Sequence, residues 1–242
     1  MRLRALCGEP THMKRSTTPE LLDTDSGTSS EIADSLADLR RINRWFGGTA
    51  TTQALIEVAA DRLNRKSFSL LEVAAGSGDV PKIVARRVQD RGIQLKVTLL
   101  DRAESHLRAA VANNGSSGTR AVAGDAIALP FLDNSFDLVN CGLFTHHLAP
   151  QQVVQFVDEG LRVCRSAVLI NDLVRHRLHL AMVFAGFLLY RSRLTRHDAP
   201  VSVCQAYTVE EMLQMLGKTK AAKTEIQRHY LFRMGVIAWK KS

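Results

Sequence analysis

Glu72, Gly76, Gly78 and Asp101 are the residues whose types and spacing point most directly to chemistry. Gly76 and Gly78 stand two apart in a small-residue turn, where backbone can approach a ligand that a Cβ would strike. The turn follows an apolar run ending at Val73 and precedes an amphipathic segment with Val80, Ile83, Val84 and Val88 on one face. The N–H groups of that helix's first turn face the same ligand. Asp101 ends the next apolar run, Val97-Thr98-Leu99-Leu100. A carboxylate at a strand tip accepts hydrogen bonds from a ribose diol, so the set describes a nucleoside site at the carboxyl edge of a parallel sheet. Glu72 and Asp79 flank the turn, and two acids suit a ligand carrying an ammonium or sulfonium group better than a pyrophosphate. The dinucleotide fingerprint also needs a small residue where this chain has Pro81. Taken alone, the turn is equally an ordinary strand–turn–helix.

The elements that must hold these residues alternate. Residues 1–30 lack periodicity and are expected to form a disordered tail. Ser30 is a plausible N-cap for a helix carrying Ile32, Leu36, Leu39, Ile42, Trp45 and Phe46, stopped at Gly47-Gly48. A second helix is expected over 52–63. Residues 31–66 then read either as helices packed on the sheet edge or as a cap over the site offering Arg40, Arg41 and Arg44. Further on, strands are expected around 97–100, 120–123, 136–141 and 167–170, with helices over 104–112 and 150–163 and a loop over 113–118. This βα rhythm predicts an α/β, Rossmann-like, doubly wound sheet, mostly parallel, with helices on both faces. Two last segments, 225–230 and 234–239, read as a C-terminal antiparallel strand pair, after a short helix opened by the capping box at Thr208.

Residues 173–206 break the rhythm. An apolar run from Leu180 to Tyr190 lies among Arg175, Arg177, Arg191, Arg193 and Arg196, with Asp198 as the sole acid of the segment. A core helix with solvated ends is one reading; a helix apolar on nearly all sides, however, has surface left to line a pocket or meet a second subunit. The run is too short to span a bilayer. The 242 residues fit one domain, residues 31–242, and 45% hydrophobic residues allow a large core. The four cysteines are scattered, which argues for reduced thiols in a cytoplasmic protein and against a metal site. No apolar secretory segment follows Arg2 and Arg4. A net charge of +8 favours an acidic ligand or surface, but the few aromatics and the lack of a reading helix argue against nucleic acid.

The run Glu72-Val-Ala-Ala-Gly-Ser-Gly78 resembles the first motif of class I S-adenosylmethionine-dependent methyltransferases. Gly124-Asp125-Ala126, Leu129-Pro130-Phe131 with Ser135-Phe136-Asp137, and Leu143-Phe-Thr-His-His-Leu148 are similar to later motifs of the same family, in order, and are most like its ubiquinone/menaquinone-type and polyketide-modifying members. The resemblance covers about residues 40–240 and implies S-adenosylmethionine as cofactor, held by Glu72, Ala74, Gly76, Gly78, Asp101, Arg102, Asp125, Ala126 and Cys141. It implies a transferase of secondary or quinone metabolism, with O-methylation of a small phenolic, quinone or polyketide-like acceptor favoured over C- or N-methylation. Ala75 departs from the family's commoner Cys or Gly, and 173–206 is longer and more basic than in its shortest members. His146 and His147 fall where the methyl end of the cofactor is expected, and histidine can take a proton from a hydroxyl nucleophile. His147 is the favoured base, with Tyr207 and His229 as further candidates; the structural alternative is a helix-start histidine bonded to backbone. Met182, Phe184 and Phe187, with Arg193, are expected to form the substrate wall and to meet an acidic or carrier-borne group, and a homodimer is a further candidate partner. A catalytically silent cofactor- or partner-binding module and an NAD-dependent oxidoreductase are the rival readings.

Overall fold

The computed structural model describes residues 13–22, 27–114 and 120–241. Its frame is a seven-stranded sheet in the order β3-β2-β1-β4-β5-β7-β6. The strands are β1 (Ser67–Val73), β2 (Gln94–Asp101), β3 (Arg120–Ala123), β4 (Phe136–Gly142), β5 (Cys164–Leu173), β6 (Lys223–His229) and β7 (Arg233–Trp239). The first five run parallel, whereas β7 lies antiparallel to both β5 and β6. The order reverses between β1 and β4, so the crevice above the carboxyl ends of those two strands is the binding position of a doubly wound sheet.

The helices are α1 (Ser29–Trp45), α2 (Gly48–Leu63), α3 (Asp79–Gln89), α4 (Glu104–Asn114), α5 (Pro150–Val163), α6 (Arg177–Ala185), α7 (Arg193–Gln205) and α8 (Val209–Leu216). Alternation along β1 sorts them. Phe68 and Leu70 pack with Ile56 of α2 and Val84 of α3, while Leu71 and Val73 pack with Phe156 of α5 and Met212 of α8. Each strand of the middle is thus buried on both faces, which is why it reads as a continuous apolar run. Helices α1, α6 and α7 gather at the carboxyl edge.

Several boundaries shift. The cap of α1 is Thr28, whose capping box with Glu31 is complete, rather than Ser30. Gly47 takes a left-handed φ of 80° between α1 and α2, so α2 begins at once at Gly48 instead of Thr52. The apolar run from Leu180 to Tyr190, read as one helix, is instead the end of a short α6 followed by a 3-10 turn, Gly186–Leu189. Part of the expected loop 113–118 and Cys7 lie outside the described residues.

The expected disordered tail needs correction for residues 13–22, which lie extended along α7. Asp198 accepts from the Leu21 and Leu22 N–H groups, and Ser16 N donates to Cys204 O at 3.0 Å. These bonds start from backbone N–H groups of the segment, which side-chain periodicity does not record.

Candidate active site

Beyond Val73 the chain turns through Ala74 (φ 53°), Gly76 (φ 51°) and Gly78 (φ 68°) into α3. A left-handed Ala is strained, and so is Leu143 (φ 54°) at the end of the neighbouring strand β4. Two such residues on adjacent strand ends, facing one crevice, mark it as functional ground. A Cβ built on Gly76 meets nothing within 4 Å, so the loop has open space before it.

Asp101 spans this loop. Its carboxylate accepts from Gly76 N at 2.7 Å and from Ala103 N at 2.9 Å. A carboxylate has about four lone-pair positions, so two remain for a diol. His106 Nδ1 stands 3.8 Å from the same carboxylate, and its Nε2 is buried with no bond partner among the described residues. Arg40 of α1 reaches Asp79 at 3.7 Å, which lays the N-terminal cap over the start of α3.

Glu72 is buried on the α2–α3 face and accepts a hydrogen bond from Asn140 Nδ2 at 2.7 Å. Burial pushes its carboxyl up to about 8, against the pull of that bond. Asn140 Oδ1 beside it has no partner among the described residues. A buried acid with one donor, next to an orphaned acceptor, is a pair of groups that a cationic, N–H-bearing ligand would satisfy. Asp125 is exposed near the end of β3 and accepts from Ile127 N, Ala126 is buried beside it, and Arg102 is exposed after Asp101. Cys141 is different: its side chain lies with Val73 and Phe156 in the α5–α8 core, fully buried. Alternation along β4 turns it away from Asn140 and Glu72, so the thiol cannot line the crevice and only its backbone can serve there.

At the end of β4 a 3-10 turn, Thr145–His147, carries the two histidines. His146 is buried, with Nδ1 at 2.7 Å from Asp172 Oδ1 and Nε2 at 3.5 Å from Glu20. Burial alone would lower its pKa, but Asp172 and Glu20 outweigh it and hold the ring as an imidazolium. Burial likewise pushes the Asp172 carboxyl up, but His146, the Thr145 hydroxyl and Leu173 N–H bring it below the ordinary value. His146 therefore has no lone pair for a substrate proton near neutral pH, which corrects its assignment as a base. His147 is partly exposed, its Nε2 3.9 Å from Glu20 and its ring stacked near Phe144. Tyr207 donates its hydroxyl to Leu148 O, and burial lifts its pKa to about 12, so it too is an unsuitable base. His229 packs beside Gly235 and Leu55 on the α2 side.

Residues 13–22 complete this turn from outside. Arg15 donates to His146 O at 2.7 Å, Leu148 O at 3.0 Å and Gln205 O at 2.7 Å, and lies over the Tyr207 ring. Glu20 bonds Ser202 and faces both histidines. Glu20, His146 and His147 each offer one ligand atom, all within 4.8 Å of one another, so the group could together contact a cation.

The substrate-wall residues divide. Met182 lines a cavity of about 100 Å³ with Ile42, Trp45, Leu173, Leu189 and Arg233, next to the carboxyl ends of β5. Phe184 and Phe187 pack on each other, with Phe184 mostly solvent-exposed. Arg193 donates its Nε–H to Glu31 of α1 at 3.0 Å. Sequence reasoning missed Asp172 as a partner, Glu20, Arg15, Asn140 and His106. The only local signals were an acid ending β5 and a polar residue facing Glu72 in β4.

Residues 70–167 match the family model described as a methyltransferase domain. A 73-residue stretch is 38% identical to the ubiquinone/menaquinone biosynthesis C-methyltransferase UbiE of Rickettsia bellii, covering 28% of this chain. The matched stretch spans 29% of that relative's length, less than a third. Among solved structures, the fold is similar to the plantazolicin methyltransferase BamL, with TM-score 0.67, 13% identity and coverage of 87% and 91% of the two chains. It is also similar to magnesium protoporphyrin IX methyltransferase of Synechocystis PCC 6803, with TM-score 0.55, 13% identity and coverage of 81% and 84%.

Proposed function

We propose that this chain is a class I S-adenosylmethionine-dependent methyltransferase and that it transfers the cofactor's methyl group to a hydroxyl of a small, largely apolar acceptor. A phenolic, quinone or polyketide-like acceptor is the class favoured. The observation that carries the reading is the crevice itself, an open Ala74–Gly78 turn tied to Asp101, with buried Glu72 and orphaned Asn140 Oδ1 behind it. The residues present fit the cofactor. Asp101 would accept from its ribose, the Gly76–Gly78 backbone would lie against it, and Asp125 and Ala126 N–H would meet its base. When bound, S-adenosylmethionine supplies a methyl already activated by a sulfonium.

The chain's part is alignment and proton handling. Glu72 presents a carboxyl whose negative form a nearby cation favours. Helices α1, α6 and α7 wall the carboxyl edge and exclude water. The acceptor's proton is assigned to His147, one residue beyond His146, and the reading is supported by Glu20 at 3.9 Å from its Nε2, a carboxylate that would stabilise the imidazolium. Asp172 and Arg15 act through His146 and its carbonyl to fix the turn, and are positioning residues.

Calorimetry with S-adenosylhomocysteine tests the core of this reading. Binding is expected to the wild type, and Asp101→Ala is expected to weaken it by about 1–3 kcal/mol, since ligand hydroxyls lose a charged acceptor. Equal affinity in the variant, or NAD binding in preference, overturns it. Turnover on a panel of phenols then tests the acceptor class, and His147→Ala is expected to lower kcat about a hundredfold with cofactor affinity retained.

A further inference from the structure

We propose that the face formed by α6, the turn after it and the end of α1 docks on an anionic lipid surface. Helix α6 buries none of its residues. Leu188 is 95% exposed, Trp45 and Leu189 each 60%, and Phe184 52%; Leu178, Phe46 and Met182 are exposed too. Trp45, Phe46, Met182 and Leu189 are contiguous, because they line one apolar cavity, Phe184 and Leu188 adjoin them on α6 and its turn, and Leu178 lies one turn before Met182 on α6. Scattered exposed apolar residues are ordinary, but a contiguous set with aromatic members marks a surface that leaves water in use.

Charge selects the occupant. Arg44, Arg177 and Arg191 are exposed around the patch. The sole acid of residues 173–206, Asp198, is buried and bonded to the Leu21 and Leu22 N–H groups, so it offers no compensating charge at the surface. Apolar and aromatic side chains inside a cationic rim fit the boundary between acyl chains and anionic headgroups. A second copy of the chain would bring arginine against arginine in a symmetric contact, and the net charge of +8 adds to that repulsion. The cavity at the centre would then open toward the bilayer, a route for an apolar acceptor that need not cross water.

Trp45 is the reporter, since the other tryptophan, Trp239, is buried in the sheet. The full chain is titrated with phosphatidylcholine vesicles with and without phosphatidylglycerol, following Trp45 emission and co-sedimentation. The expected result is a blue shift and sedimentation with phosphatidylglycerol vesicles, weakened by salt. Arg177→Glu/Arg191→Glu is expected to reduce partitioning about tenfold or more at low salt. Leu178→Glu/Leu188→Glu should do the same at all salt concentrations, with S-adenosylhomocysteine affinity and melting temperature unchanged in both. Absence of binding, or binding indifferent to both pairs of substitutions, overturns the proposal. So does Trp45 emission already blue-shifted without vesicles, which means that the chain itself or a second copy covers the face. Neither readout requires methyl transfer, so the proposal and the acceptor reading fail separately.

Discussion

At the scale of single residues, Glu72 trades stability for binding. Its native carboxyl titrates near 8 against an ordinary value of 4.5, so the folded state holds a proton that the unfolded chain releases. Stability is therefore expected to fall as pH rises from 4.5 to 8. Glu72→Gln removes this dependence, and its melting temperature should exceed the wild type's by a margin that grows across that range. The same variant is expected to bind S-adenosylmethionine more weakly, because a cation nearby favours the ionised acid that it lacks. Thermal melts across the range and one titration check both halves, and a margin independent of pH would show that Glu72 is ionised throughout. Asp172→Asn probes the other buried acid. Removing one partner of a buried pair costs about 3–5 kcal/mol. Asp172 stabilises above 3.8 and loses that effect as pH falls through its lowered native value; His146 stabilises below 6.5 and loses it as pH rises through its raised one. The deficit of the variant in urea unfolding should thus be largest between 3.8 and 6.5.

At the scale of elements, the extended segment 13–22 and α7 behave as a clasp over the histidine turn. Asp198→Ala removes the acceptor of two backbone N–H groups, each bond to a charged group being worth about 1.5–3 kcal/mol. Proteolysis within 13–22 is expected to quicken and the acceptor's KM to rise, with cofactor affinity preserved; unchanged cleavage would place the fastening at Arg15 instead. This clasp was the least legible part of the sequence. Strands β1 and β4, the Gly76–Gly78 turn and α5, matched from Pro150 to Val163, announce themselves through local period and turn residues. Arg15, Glu20 and Asp172 act on partners far along the chain, and no local pattern records a pairing of that kind. The division of 177–205 into two helices was hidden because Gly186 sits inside a run whose composition favours helix throughout.

At the scale of the molecule, two cores share one sheet, Leu70 facing α2 and α3 and Leu71 facing α5 and α8. Loss of either core exposes the other, so the sheet domain is expected to unfold in one cooperative transition. Hydrogen exchange should be slowest in β1, β4 and β5, with α6 and residues 13–22 opening at the lowest free energy. Protection in α6 equal to that in β4 would contradict this order.

The clasp has a consequence for biosynthesis. Residues 13–22 are translated long before α7, yet Arg15 meets Gln205 across 190 positions and Glu20 meets Ser202 across 182. Arg15 and Glu20 can reach the histidine turn earlier, but their α7 partners exist only once α7 has been translated, and closing so long a loop carries an entropic cost. The wall around His147 is therefore finished last, after the crevice that holds Asp101 and Gly76 has formed. The turn that carries His147 is thus the part of the site whose final shape depends on the longest-range closure in the chain.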